Sequence, residues 1–205
     1  MMARPKSFDE DKVLDAAIDC FSRNGLKSAS IRDLADEMGI AGPSLYNAYG
    51  CKRALFVKAL ARYADAAVRA KLAALERAHP APGAIAAFFA ETISDALAGP
   101  EARGCMIVNT AMEADPRDAE LSALVSGYLG EIQEFFVRNL TAARAASLIP
   151  GDLDIEDASR LFVGLLLGLG VLARARPERA LLEATVRPAL ALLETAPRSR
   201  RRGLS

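Results

Sequence analysis

Residues 30–52 read S-I-R-D-L-A-D-E-M-G-I-A-G-P-S-L-Y-N-A-Y-G-C-K and spell two short helices joined by a tight turn. In the first, Ile31, Leu34, Ala35 and Met38 recur at three- and four-residue spacing, which gives one apolar face. Ser30, with Asp33 three residues on, has the spacing of a capping box. Gly39 can take the positive φ that ends a helix, and Gly42-Pro43 restarts the chain, because proline suits the first helical position. The second helix carries Ser44, Tyr46 and Asn47 on one side and Leu45 with Tyr49 on the other. So short a helix gains little from its own buried face. Its outer face is free for the major groove of DNA, which admits one helix whose polar side chains reach base edges and phosphates.

These residues carry a family resemblance. An opening helix with F-x-x-x-G-L near its end (Phe21 to Leu26), then S-I-R-D-L-A-x-x-x-G-I, then G-P-S-L-Y-x-x-Y-G-x-K-x-x-L-F resembles the DNA-binding domain of the TetR family of transcriptional regulators. The match is close over residues 8–60, and beyond them it rests on length, helical pattern and the short run R-G-C-M-I-V-N-T-A-M-E. The resemblance implies an all-α protein in three parts: an arm and helix-turn-helix in residues 1–52, a helical effector-binding and dimerisation domain in 53–196, and a basic tail in 197–205. It further implies that Ser44 and Asn47 contact or approach bases, while Tyr46, Lys52 and Arg32 meet phosphates. At Cys51 the sequence departs from the family, which usually has a side chain there that caps the next helix, so a weakened cap is expected. The thiol also sits at a helix start beside Lys52 and Arg53, an electropositive setting of the kind that makes cysteines reactive, with a chance replacement on a loop as the plainer reading.

The chain has 205 residues, 52% hydrophobic and 25% charged, with 26 basic and 26 acidic side chains. That composition suits a globular protein with a full core and excludes disorder except at the ends. With no net charge, the case for DNA is local. Arg4, Lys6, Arg32, Lys52, Arg53 and Lys58 lie in the arm and around the motif, whereas Asp9, Glu10, Asp11, Asp15 and Asp19 gather on the opening helix. Three cysteines at irregular spacing make neither a disulfide framework nor a metal site, and no signal peptide is visible. A cytoplasmic protein without cofactor or metal is expected. The most apolar run, Leu161 to Leu172, is shorter than the roughly 20 residues that span a bilayer, so it reads as a buried or interface helix and no membrane partner is expected.

Along the chain, Phe8 to Asn24 forms the first helix, ended by Gly25. A long helix from Lys52 to about Ala78 leaves the motif and can act as a lever. Further helices fall at Ala84 to Leu97, Arg103 to Ala114, Pro116 to Ala146, Ile155 to Ala175 and Glu178 to about Thr195. The last two have wide apolar faces, with Gly164 and Gly168 on one of them. In the resembling family they pair with their copies about a two-fold axis, which implies a homodimer through residues 155–195.

For an effector, Cys105, Asn109 and Met112 share a helical face and offer a thiol, an amide and a soft apolar group in a row. Cys105 is either plain packing or a sensor of electrophiles and oxidants. Phe88, Phe89, Tyr128 and Phe135 are candidate apolar walls of a pocket, or simply core. The reading is therefore a dimeric, ligand-responsive repressor released from a palindromic operator by a small apolar, electrophilic or oxidising molecule. An all-α enzyme is the rival from another class, but one histidine, His79 in a proline-rich loop, supports no catalytic arrangement, and no Gly-rich phosphate loop is present. A helical adaptor for proteins would lack the steep salt dependence of phosphate binding.

Overall fold

The computed structural model describes residues 9–98, 105–115 and 117–194, and all regular structure among them is helical. The arm with Arg4 and Lys6, Arg103 and the basic tail lie outside the described residues. Helix α1 (Glu10–Ser28) begins at Asp9, whose side chain accepts from the amides of Asp11 and Lys12. It was expected to stop at Gly25. Gly25 takes φ 73° and ψ 172°, non-helical values that end the regular helix there, and one further helical turn runs on beyond the kink to Ser28. Helix α2 (Ile31–Met38) opens with the full Ser30–Asp33 capping box and closes at Gly39 in the left-handed conformation, φ 64°. Helix α3 (Gly42–Tyr49) follows with proline in its first turn.

The long helix over 52–78 is one continuous rod in three pieces: α4 (Lys52–Tyr63), a π-helical segment (Ala64–Arg69) and α5 (Ala70–Ala78). Arg69 fastens the π segment to Glu131, its Nε donating to Oε2 at 2.6 Å, and also pairs with Asp65 one turn back. The rest of the bundle comprises α6 (Gly83–Ala96), α7 (Met106–Glu113), α8 (Ala119–Ala145), α9 (Ile155–Ala175) and α10 (Arg179–Leu190) with a closing 3₁₀ turn (Ala191–Leu193).

Two apolar clusters organise these helices. One gathers α1 to α4 around Phe21, Leu34, Leu45 and Phe56, and it extends into α7 and α8 through Met106, Ile107, Leu121, Val125 and Tyr128. The other joins α5, α6, α8, α9 and α10 around Phe88, Phe89, Phe135, Phe136 and Phe162. Cys105, Val68 and Leu129 pack against both. Burying each such phenylalanine contributes on the order of 2–3 kcal/mol.

The apolar run 161–172 lies inside a helix of 21 residues, so its length does not by itself rule out a bilayer. Three of its side chains, Phe162, Leu166 and Leu169, pack in the second cluster against α6, α8 and α10.

Candidate nucleic-acid interface and effector cavity

The helix-turn-helix builds its exposed face from local chemistry. The capping box and Gly39 fix both ends of α2, and Leu34 and Leu45, both fully buried, lock α2 and α3 onto α1 and α4. With Leu45 and Tyr49 turned inward, helical periodicity leaves Ser44, Tyr46 and Asn47 outward, and all three are exposed. Tyr46 is 49% exposed, so its ring and phenol are open to solvent. Arg32 on α2 is exposed too, loosely paired with Asp36 at 3.8 Å. These four side chains present hydroxyl, amide, phenol and guanidinium groups outward from two adjacent helices.

Lys52 behaves differently. Its ammonium turns back and donates to the carbonyls of Lys27 at 3.2 Å and Ala29 at 2.9 Å. Cys51 makes the weakened cap expected of it: its Sγ accepts from the amide of Ala54 at 3.4 Å, a poorer acceptor than an oxygen. Tyr49 is buried with Lys58 over its ring at 5.3 Å, and burial pushes its phenol up from the ordinary value. Behind the motif, Arg53 ties α4 to the start of α8, its Nη2 donating to Asp118 Oδ1 at 2.8 Å. The hydrogen bond from Arg53 holds the Asp118 carboxyl below the usual carboxylate range, helped by the amide of Leu121 that the same carboxylate caps.

Between the two clusters lies a cavity of about 760 Å³, walled by the end of α1, the π segment, α6, α7 and α9. Such volumes are typical of small-molecule sites. Its lining is apolar along Leu72, Phe88, Ile93, Val108, Ile132 and Leu166, with Arg23, Lys71 and Arg174 among the polar groups. Lys71 is held by Asp95 at 2.7 Å and Glu91 at 3.4 Å. Tyr63 stands in the wall beside Cys105, with which it shares a hydrogen bond; burial foremost, and then the thiol, push its phenol well above the ordinary value.

Of the effector candidates, Cys105 and Asn109 line this cavity. Cys105 is not inside a helix but holds the position just before α7, and its side chain makes no cap hydrogen bond there. Met112 is 42% exposed, because the last turn of α7 runs beyond the cavity toward α1. Phe89 and Phe135 sit in the aromatic cluster, with Phe89 stacked on Phe136 at 5.8 Å, and Phe88 takes the place at the wall. Tyr128 belongs to the first cluster, under Arg69 at 5.7 Å. The wall residues of the rod were not legible in the sequence, since the π segment shifts the register that a plain 3.6-residue count would give, and those of α9 depend on how distant helices pack.

A capped helix-turn-helix with a polar outer face, joined to a helical domain with a cavity, defines the class of helix-turn-helix DNA-binding regulators. The comparisons make this specific. The family described as "Bacterial regulatory proteins, tetR family" matches residues 13–67, and "Tetracyclin repressor-like, C-terminal domain" matches residues 81–189. YezE of Bacillus subtilis (strain 168), an uncharacterized HTH-type transcriptional regulator, is 33% identical over 94% of this chain and all of its own length. The HTH-type transcriptional repressor ComR of Escherichia coli (strain K12) is 26% identical over 83% of this chain and 82% of its own. Among solved structures, a cysteine-substituted form of the TetR family regulator CifR, complexed with 26-bp double-strand operator DNA, superposes with a TM-score of 0.80 at 33% identity, covering 92% of this chain and 98% of its own. The chain belongs to the TetR family and is a DNA-binding transcriptional regulator, not an enzyme.

Proposed function

We propose that this regulator is a cytoplasmic homodimeric repressor whose operator is palindromic and whose release is triggered by a small molecule in the cavity. The observation that carries the reading is the cavity itself: about 760 Å³ with α7 as one wall, and α7 in contact with α1 of the DNA-binding unit. Residues 1–52 read DNA, and residues 53–196 sense and dimerise, with the tail 197–205 beyond them. Ser44 and Asn47 face base edges, and Tyr46 and Arg32 face phosphates. Lys52 serves from inside, its ammonium being taken up by two carbonyls. Dimerisation uses 155–195: Leu161 and Val171 are exposed at 42% and 49%, and no atom beyond α9's own adjacent backbone lies within 4 Å of where a side chain on Gly164 or Gly168 would begin, which supports close approach of a second α9. Two-fold pairing sets the recognition helices about one DNA turn, roughly 34 Å, apart.

The effector is apolar or electrophilic. The apolar lining supports the first, and Cys105 with the Tyr63 hydroxyl beside it supports covalent capture as a second reading. In that capture a carbon–sulfur bond forms, a π bond or strained ring of the electrophile opens, and the thiol proton ends on the product. An operator selected from random DNA with the full chain supplies the test. N-ethylmaleimide is expected to release the wild type and Cys51→Ser but not Cys105→Ser. Release of Cys105→Ser as well would transfer reactivity to Cys51, and failure to release any of them would leave noncovalent binding as the trigger.

A further inference from the structure

The route from cavity to recognition helix is open to two readings: the long rod of 52–78 as a lever, or a path through the end of α1. The packing favours the second. Val108 of α7 lies with its Cγ1 2.6 Å from where a Cβ on Gly170 would stand, so α7 is seated on α9 with no slack on that side. On the other side, the space a Cβ would need on Gly25 is filled by the carboxylate of Glu113, whose Cδ would be 2.6 Å away. Gly25 is the kinked residue of α1, and its φ of 73° is a conformation that only glycine takes without strain. The next residues, Leu26 to Ala29, form a hook whose carbonyls at Lys27 and Ala29 are gripped by the Lys52 ammonium. Lys52 opens α4 two residues after Gly50, where α3 ends.

We propose that the hook at Gly25–Ala29, caught between Glu113 of α7 and the ammonium of Lys52, is the relay that sets the recognition helix from the cavity. Lys52 is then a positioning residue, not a phosphate clamp. A ligand that presses on Cys105 or Asn109 cannot drive α7 into α9, where Gly170 is already in contact. The helix moves toward α1, Glu113 bears on the kink, and the hook carries Lys52 and the end of α3 with it. The inference rests on the effector reading for its trigger, but the mechanical connection exists without ligand.

A double-mutant cycle on the selected operator tests it. Glu113→Ala, far from DNA, is expected to lower operator affinity about five-fold, the lower range of couplings between sites. Lys52→Met is expected to do the same, and the double variant should be no weaker than the weaker single. Glu113→Gln keeps the contact with Gly25 and should match the wild type. The slope of log affinity against log salt should not change in Lys52→Met, whereas a lost phosphate contact would reduce it by about 0.9 per protomer. Additive losses, or that drop in slope, would overturn the relay. In the free protein, Glu113→Ala should speed amide hydrogen exchange both at residues 25–29 and at 45–55; unchanged exchange at 45–55 would overturn it without reference to DNA. A wild-type chain that selects no operator would instead strike at the repressor reading beneath.

Discussion

In the N-terminal unit, Leu34, Leu45, Leu55 and Leu60 are fully buried around Phe21 and Phe56, whose rings meet edge to face at 4.9 Å. The second unit sets five phenylalanines against one another on one side and leaves a cavity of about 760 Å³ on the other. The first is a filled solid that holds a surface in shape, and the second is a wall built around empty space. Dense packing transmits displacement, and a cavity admits something that can cause it. The short helix α7 belongs to both, with Met106 and Ile107 in the first cluster and Val108 in the second.

The sharpest way to break this contrast is to damage the aromatic wall. Phe136→Ala is expected to cost about 3–5 kcal/mol in urea unfolding, because Phe136 packs against Phe88, Phe89, Phe135 and Phe162 and the void would not collapse onto a cavity already present. A cost below about 1 kcal/mol would mean that the wall is not a packed unit. Next in size, Tyr46→Ala should weaken operator binding roughly ten-fold with no change in melting temperature, if Tyr46 meets phosphate as proposed, since its ring is half exposed and adds little to the core. A loss of stability with unchanged affinity would place Tyr46 on the wrong side of the comparison. Gly39→Ala should cost about 1 kcal/mol of stability, as φ 64° is foreign to alanine while open space surrounds the new methyl.

The smallest effect concerns the tie between units. Arg53 depresses the Asp118 carboxyl in the folded state, so its stabilisation is fully present above the unfolded value near 3.8 and is lost as pH falls through the lower folded value. Thermal melts of wild type and Asp118→Asn should therefore differ modestly at pH 7 and converge well below pH 3.8. A gap that persists in strong acid would assign the effect to the α8 cap rather than to the Arg53 pair.

The two regions were also unequally legible in the amino-acid order. Ser30, Asp33, Gly39 and Pro43 act within a few residues of themselves, so capping and turn chemistry could be read directly, and α9 was placed at Ile155–Ala175 from its flanking Asp154 and its periodicity. The cavity depends on helices from α1 to α10 meeting, and no local signal separates Phe88, at the wall, from Phe89, in the core. Met112 shares a nominal face with Cys105 but projects to the surface, since a helix of eight residues leaves the cavity before its own last turn. Lys52 was readable as a cation beside the motif. That its ammonium would fold back onto Lys27 and Ala29 depends on the kink at Gly25, where a helix end was expected.

In the function proposed above, α3 is presented to DNA by a two-fold pair of these chains. Fluorescence anisotropy of the full chain against its selected operator, with excess random competitor at two salt concentrations, tests it most directly. Expected are an even number of protomers per site, affinity at least about a thousand-fold above random DNA, and weakening with salt at a log–log slope steeper than about −2. Binding equal to that for random DNA, or a single protomer per site, would contradict it.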